Sequence, residues 1–172
     1  MEILVGSDDM YARLAAVVPC YNAGARVEPV VRSLLEQLDH VVVVDDGSTD
    51  GATAPLQALG ASVIHFPENK GKGFAMLAGF RAALAAEPVR GVVIVDADGQ
   101  HDAGELANLW QAFVKNDADL VIGTRTFDGA HVPLRSKIGN KFTAAATRIL
   151  IGAPIADTQS GFRIHSRRLL ED

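Results

Sequence analysis

One cysteine, Cys20, is all the thiol chemistry this chain has. It allows no intramolecular disulfide and no Cys-based zinc cluster, which suits a reducing compartment. The first 20 residues include Glu2, Asp8, Asp9 and Arg13 and lack the basic leader and apolar stretch of a secretory signal. No run approaches the roughly 18 apolar residues that a membrane-spanning helix requires. Positive charge is also short, with 16 Lys and Arg against 21 Asp and Glu and a formal net charge of -5. A global basic field that would recruit nucleic acid is therefore missing, and an anionic ligand needs local side chains or a bound cation to hold it. The resulting expectation is a cytoplasmic protein with no nucleic-acid partner, for which peripheral contact with the inner face of a membrane stays open.

With 172 residues, 48% of them hydrophobic, the chain has enough apolar material for one full core and too little length for two comfortable domains. Residues 1–172 are expected to form a single domain. Short apolar runs at Ala15–Val18, Val41–Val44, Ser62–Phe66, Val92–Val95 and Leu120–Ile122 read as strands. Helical periodicity falls between and after them, near Arg26–Leu38, Ala54–Leu59, Gly73–Ala86, Ala103–Lys115 and Ser136–Leu150. Strict βαβα order predicts an α/β fold with a mostly parallel central sheet sandwiched between helices. Phe74, Leu77, Phe80 and Leu84 recur at spacings of three and four and are expected to face the core. At the other end, Ser166 is a plausible cap for a helix that begins in SRRLLED, and the abrupt stop suggests a C-terminally truncated chain.

Polar motifs collect where the strands end. Strand one runs into PCYNAG, strand two into DDGSTDG, strand four into DADGQHD and strand five into GTRTFDG. In open parallel sheets, ligands bind at those carboxyl ends. PCYNAG is not the G-x-G-x-x-G of a dinucleotide site, and NKGKG lacks the G-x-x-x-x-G-K-[ST] of a phosphate loop. DDGSTDG is balanced between a simple turn that caps the next helix and an acidic contact to a base or ribose through Asp45 or Asp46. DADGQ fails as an EF-hand loop, since positions six and twelve counted from Asp96 are His101 and Ala107 rather than Gly and Glu. It is weak as a haloacid-dehalogenase motif, which should follow the first strand. It suits a hard divalent cation held by one or two carboxylates, Asp96 and Asp98, with Gln100 as a further oxygen and other positions left to phosphate and water.

VVPCYNAG, VVVDDGSTDG, NKGKGFAMLAGF, VVIVDADGQHD, VIGTR and DTQSGFR stand in this order along the chain. Together they resemble the family 2 glycosyltransferases of the GT-A fold, in particular the branch of dolichol-phosphate mannosyltransferase and other polyprenyl-phosphate sugar transferases. The resemblance implies a nucleotide-diphosphate sugar donor, such as GDP-mannose or a UDP-sugar. Its nucleotide would be cradled by Pro19, Tyr21, Asn22, Asp45, Asp46 and Gly47, with Lys70, Asp96, Ala97 and Arg135 nearby. It implies Mg2+ or Mn2+ on Asp96, Asp98 and Gln100. Arg125 and Arg163 would offset the negative charge that grows on the leaving diphosphate, together with the cation held at Asp98. Asp157 would be a base for an alcohol acceptor or, for an anionic polyprenyl phosphate, would order Arg163 or Arg135. The family inverts configuration at the transferred sugar. Ala23 departs from the pattern, which often carries Glu after the Asn of the first motif. That departure keeps an alternative in view, a catalytically incomplete nucleotide-binding or regulatory module. A sugar nucleotidyltransferase is disfavoured because no Gly-rich, Arg-containing loop follows strand one.

Overall fold

A computed structural model describes residues 13–85, 89–100, 103–123 and 161–172. Arg125, Arg135, Asp157, His101 and the expected helix Ser136–Leu150 lie outside the described residues. The described elements run β1 (Leu14–Cys20), α1 (Val27–Leu35), β2 (His40–Asp45), β3 (Ser62–His65), α2 (Lys72–Ala85), β4 (Gly91–Ile94), α3 (Leu106–Lys115), β5 (Leu120–Ile122), β6 (Arg163–Ser166) and α4 (Arg167–Glu171). Six strands form one sheet in the order β3-β2-β1-β4-β6-β5. β1 pairs in parallel with β2 and β4, and β2 with β3, while β6 is antiparallel to both β4 and β5. The sheet is therefore mostly parallel, as the βαβα order predicts. β6 was not among the expected strands.

Strands buried on both faces read as continuous apolar runs, and β1 shows why. Leu14, Ala16, Val18 and Cys20 face one core, shared with Val27, Val31 and Leu34 of α1 and Leu106, Trp110 and Phe113 of α3. Ala15 and Val17 face a second core with Ala75 and Ala83 of α2. Each fully buried Val or Leu contributes about 1.5–3 kcal/mol relative to exposure, so these two layers dominate the favourable side of folding.

Two sequence expectations are corrected here. The residues of α2 that face the sheet are Ala75, Gly79 and Ala83, whereas Phe74 and Leu77 are 63% and 53% exposed. The helix lies so close to β1 that a Cβ on Gly79 would fall 2.2 Å from Val17 Cγ1, so only small residues fit beneath it. Phe80 and Leu84 pack at the flank of that core, partly buried. The expected helix at Ala54–Leu59 is instead a series of three-residue turns. Ala54, Leu56 and Leu59 donate to the carbonyls of Gly51, Thr53 and Leu56, and a single 3-10 turn at Gln57–Leu59 stops at Gly60, whose φ is 109°. Pro55 has no amide hydrogen to give to a continuous ladder.

The C-terminal helix begins as the sequence predicts, with Ser166 Oγ accepting from the Leu169 amide at 3.1 Å. Arg168 fastens it to the amino-end side of the sheet through the Asp119 carboxylate and, at 3.1 Å, Asp117 Oδ2. On β6, His165 meets the edge of Phe80 at 5.2 Å between ring centroids. Burial, aided by the Arg163 charge, pushes the His165 pKa down to about 4. An unfolded histidine takes up its proton near pH 6.5, so between these values the unfolded state binds more protons than the folded state. Stability should therefore decline as pH falls from about 6.5 toward 4. In His165→Phe, denaturant titrations at the two ends of that window should show a smaller decline than in the parent, and an equal decline would contradict the assignment.

Candidate active site

β1 connects outward to β2 on one side while β4 lies on its other side, so the strand order reverses between β1 and β4. Such a switch point opens a crevice at the carboxyl ends of the strands. A cleft of about 400 Å³ lies there, walled by Pro19, Cys20 and Tyr21 at the end of β1 and by Asp96, Ala97 and Asp98 after β4. Asp46, Asn69, Gly71, Lys72 and Ala75 form the side toward α2, and Ala23 and Arg26 the side toward α1.

The walls are braced by side chains from the loops themselves. Asn22, at a φ of 48°, accepts the Thr49 amide on its Oδ1 at 2.9 Å, and its own amide donates to Ser48 Oγ at 3.0 Å. Asp50 Oδ2 accepts the Gly24 amide at 2.8 Å, so the loops after β1 and β2 are tied to each other. Two neighbouring aspartates then divide their work. The Asp45 carboxylate is turned inward and accepts from the Ser48 amide at 2.8 Å, Thr53 Oγ1 at 2.6 Å and His65 Nδ1 at 3.1 Å. Burial raises its pKa, but these hydrogen bonds outweigh burial and hold it below the ordinary value. Asp46, 3% exposed, reaches across to the loop before α2 and accepts the amides of Lys70 at 2.7 Å and Gly71 at 2.9 Å. Gly47 permits that approach, because its φ is 75° and a Cβ there would fall 2.6 Å from the Glu68 carbonyl carbon.

Charge in the cleft is concentrated at Asp96, Asp98, Asp46, Lys72 and Arg26. Lys72 Nζ meets Asp96 Oδ1 at 2.6 Å, with the Asp96 side chain 20% exposed. Asp98 Oδ1 accepts the Gln100 amide at 3.0 Å, which fixes the turn after β4. Burial pushes the Cys20 thiol up to about 11, so it enters the cleft wall as a neutral apolar group and not as a nucleophile. Among the described residues no three His, Cys, Asp or Glu side chains form a metal cage. The available donor set is the pair of hard oxygen ligands Asp96 and Asp98, as fits Mg2+ or Mn2+ held by one or two carboxylates while phosphate and water take the other positions.

Among the sequence candidates, Pro19, Tyr21, Asp46, Asp96, Ala97 and Asp98 share the cleft. Asn22, Asp45 and Gly47 stand behind its wall as braces, and Lys70 directs its ammonium over the Phe66 ring at 5.2 Å from the centroid. Gln100 is exposed and outside the lining. Arg163 is half-buried at the start of β6, beside Ile94 at the end of β4, and its Nε has no hydrogen-bond partner among the described residues. Sequence reasoning missed Arg26, which sits just before α1 with its Nε on the Ala23 carbonyl at 3.1 Å. NKGKG is not a phosphate loop, yet its second lysine, Lys72, lines the cleft.

A mostly parallel sheet with an acidic, cation-flanked cleft at its switch point places the chain in the open-sheet α/β class, whose ligands bind in that crevice. The chain belongs to glycosyl transferase family 2, whose family model matches residues 15–172. Polyprenol monophosphomannose synthase of Mycolicibacterium smegmatis is 35% identical over 173 residues, covering 92% of this chain and 63% of that protein. A low-salt glycan biosynthesis hexosyltransferase of Haloferax volcanii is 32% identical, covering 96% of this chain and 41% of its own length. The chain thus spans 63% and 41% of these two relatives. Among solved structures, glucosyl-3-phosphoglycerate synthase of Mycobacterium tuberculosis, in complex with Mn2+, uridine diphosphate and glucosyl-3-phosphoglycerate, aligns with a TM-score of 0.73 at 20% identity. That alignment covers 98% of this chain and 63% of the synthase, and establishes the shared GT-A fold. No helix among the described residues is long and apolar enough to cross a membrane.

Proposed function

We propose that this domain transfers a sugar from a nucleotide-diphosphate donor to a polyprenyl or dolichyl phosphate, with inversion at the sugar and with Mg2+ or Mn2+ held by Asp96 and Asp98. The carrying observation is the pair of carboxylates at the switch-point cleft, in a chain of glycosyl transferase family 2. Tyr21, 53% exposed at the cleft, offers a ring face to the base. Lys72 and Arg26 supply positive charge to the anionic donor, and Arg163 stands at the same sheet edge with a donor to spare. When bound, the cation neutralises the charge that grows on the leaving diphosphate. A polyprenyl phosphate arrives already ionised, so its attack needs basic side chains rather than a proton acceptor. In this reading Asp157 orders Arg163 or Arg135, and Arg125 joins them in holding phosphate.

The lipid acceptor is supported by the names of relatives, which include the M. smegmatis enzyme and a UDP-N-acetylglucosamine–dolichyl-phosphate N-acetylglucosaminyltransferase of Methanococcus voltae, 29% identical over 178 residues. The first name points to mannose and the second to a UDP-sugar, so GDP-mannose and a UDP-sugar are the two donors to compare. The placement that follows is the cytoplasmic membrane face. The alternative, a nucleotide-binding module without turnover, draws on Ala23, whose buried methyl brings no polar group to the cleft. Incubation with Mn2+, each nucleotide sugar and a short polyprenyl phosphate separates the two. Release of nucleoside diphosphate with formation of a glycolipid is expected, and nucleotide binding without product would favour the alternative.

A further inference from the structure

Gly161, in the SGFR motif, touches the metal motif directly. A Cβ built on Gly161 would fall 1.9 Å from Asp96 Oδ2, 2.1 Å from its Cγ and 2.6 Å from its Oδ1. The three nearest atoms thus all belong to one carboxylate, which fills the volume that any side chain at 161 would need. The nearest obstacle that an alanine methyl group would meet there is the Asp96 carboxylate.

The backbone at 161 cannot easily retreat. Phe162 is 2% exposed in the core, its carbonyl accepts the Gly123 amide at 2.9 Å, and Arg163 is in register with Ile94 and Ile122 in the sheet. The carboxylate is the free end of a side chain and is the part that would move. Lys72 Nζ donates to Oδ1 of the same carboxylate at 2.6 Å. Asp96 is therefore held by an ammonium and confined by the backbone at 161.

Resting on the metal reading above, we propose that Gly161 is a positioning residue, whose missing side chain lets the chain close over Asp96 and aim its carboxylate at the cation. Clearing a methyl group requires a carboxylate shift of at least about 1 Å, beyond the roughly 0.5 Å within which a binding constellation keeps its function. The SGFR and DADGQ motifs are then two halves of one steric fit.

The test is Gly161→Ala, Asp96→Ala and the two combined. With a nucleoside diphosphate present, the apparent Mn2+ affinity of Gly161→Ala, read from the electron paramagnetic resonance of free Mn2+, should fall about 10- to 100-fold, the range seen when groups that orient metal ligands are lost. An affinity within twofold of the parent overturns the proposal. Melting temperatures of the four proteins form a double-mutant cycle that needs no metal. Gly161→Ala should destabilise the parent and have little effect once Asp96 is Ala, and additive shifts would show that the two residues do not press on each other. If Gly161→Ala does not fold and the double variant does, that is the predicted coupling in its strongest form. Absence of Mn2+ binding by the parent protein overturns the metal reading and the positioning role with it, while the cycle still decides the contact.

Discussion

Asp98→Asn is expected to lower the apparent Mn2+ affinity in the presence of nucleoside diphosphate by at least about 100-fold, and turnover by on the order of 10²–10³. The substitution keeps the shape of the side chain, and the amide oxygen can still accept the Gln100 amide that closes the turn. What it removes is one of the three carboxylate charges that line the cleft. With Asp46 turned to the amides of Lys70 and Gly71 and Asp96 paired with Lys72, the attraction for a divalent cation falls sharply without it. The melting temperature should stay within a few degrees of the parent, because Asp98 is half-exposed at a strand end and outside both cores. A variant that keeps metal-dependent nucleotide affinity would remove Asp98 from the proposed ligand set.

Asp46→Ala should be the most damaging single change to stability at the cleft. The native carboxylate is nearly inaccessible and ties the end of β2 to the amides of Lys70 and Gly71. Hydrogen bonds to a charged group are worth about 1.5–3 kcal/mol each, but the freed amides at this partly exposed loop can turn to water. The net loss should be roughly 2–4 kcal/mol, seen as a fall in melting temperature on the order of 5–15 °C for a domain of this size. Asp46→Asn should recover little, since one end of the amide group presents hydrogens to donors. Nucleotide affinity should fall as well, because Gly71 and Lys72 line the cleft and lose their anchor. A melting temperature within 1–2 °C of the parent would show that the loop before α2 is held by other means.

The strands were legible because an apolar run buried on both sides carries the same signal whether or not its partners are known. Val92–Val95 and Val41–Val44 needed only their own residues to be recognised. α2 was misassigned on its face because periodicity weighs large side chains, and here the close approach to Val17 admits only Ala75, Gly79 and Ala83. β6 escaped because Arg-Ile-His-Ser is four residues long and mostly polar, and its strand character comes from pairing with β4 and β5. The acidic pair after β2 shows the same limit at finer scale. Asp45 and Asp46 are chemically identical in sequence, and only the fold turns one toward Thr53 and the other toward the loop at Lys70. Gly161 belongs to a motif visible in the sequence, but the carboxylate it makes room for, Asp96, is brought beside it only by the fold.

The central claim is that the cleft between β1 and β4 binds a nucleotide diphosphate through a cation. Isothermal calorimetry of the intact protein with GDP and with UDP, each with and without Mn2+, tests it most directly. The account predicts that one of the two nucleotides binds at least tenfold more tightly with Mn2+ than without it, and that Asp98→Asn erases the difference. Equal affinity with and without Mn2+ for both nucleotides, or no binding of either, would contradict it.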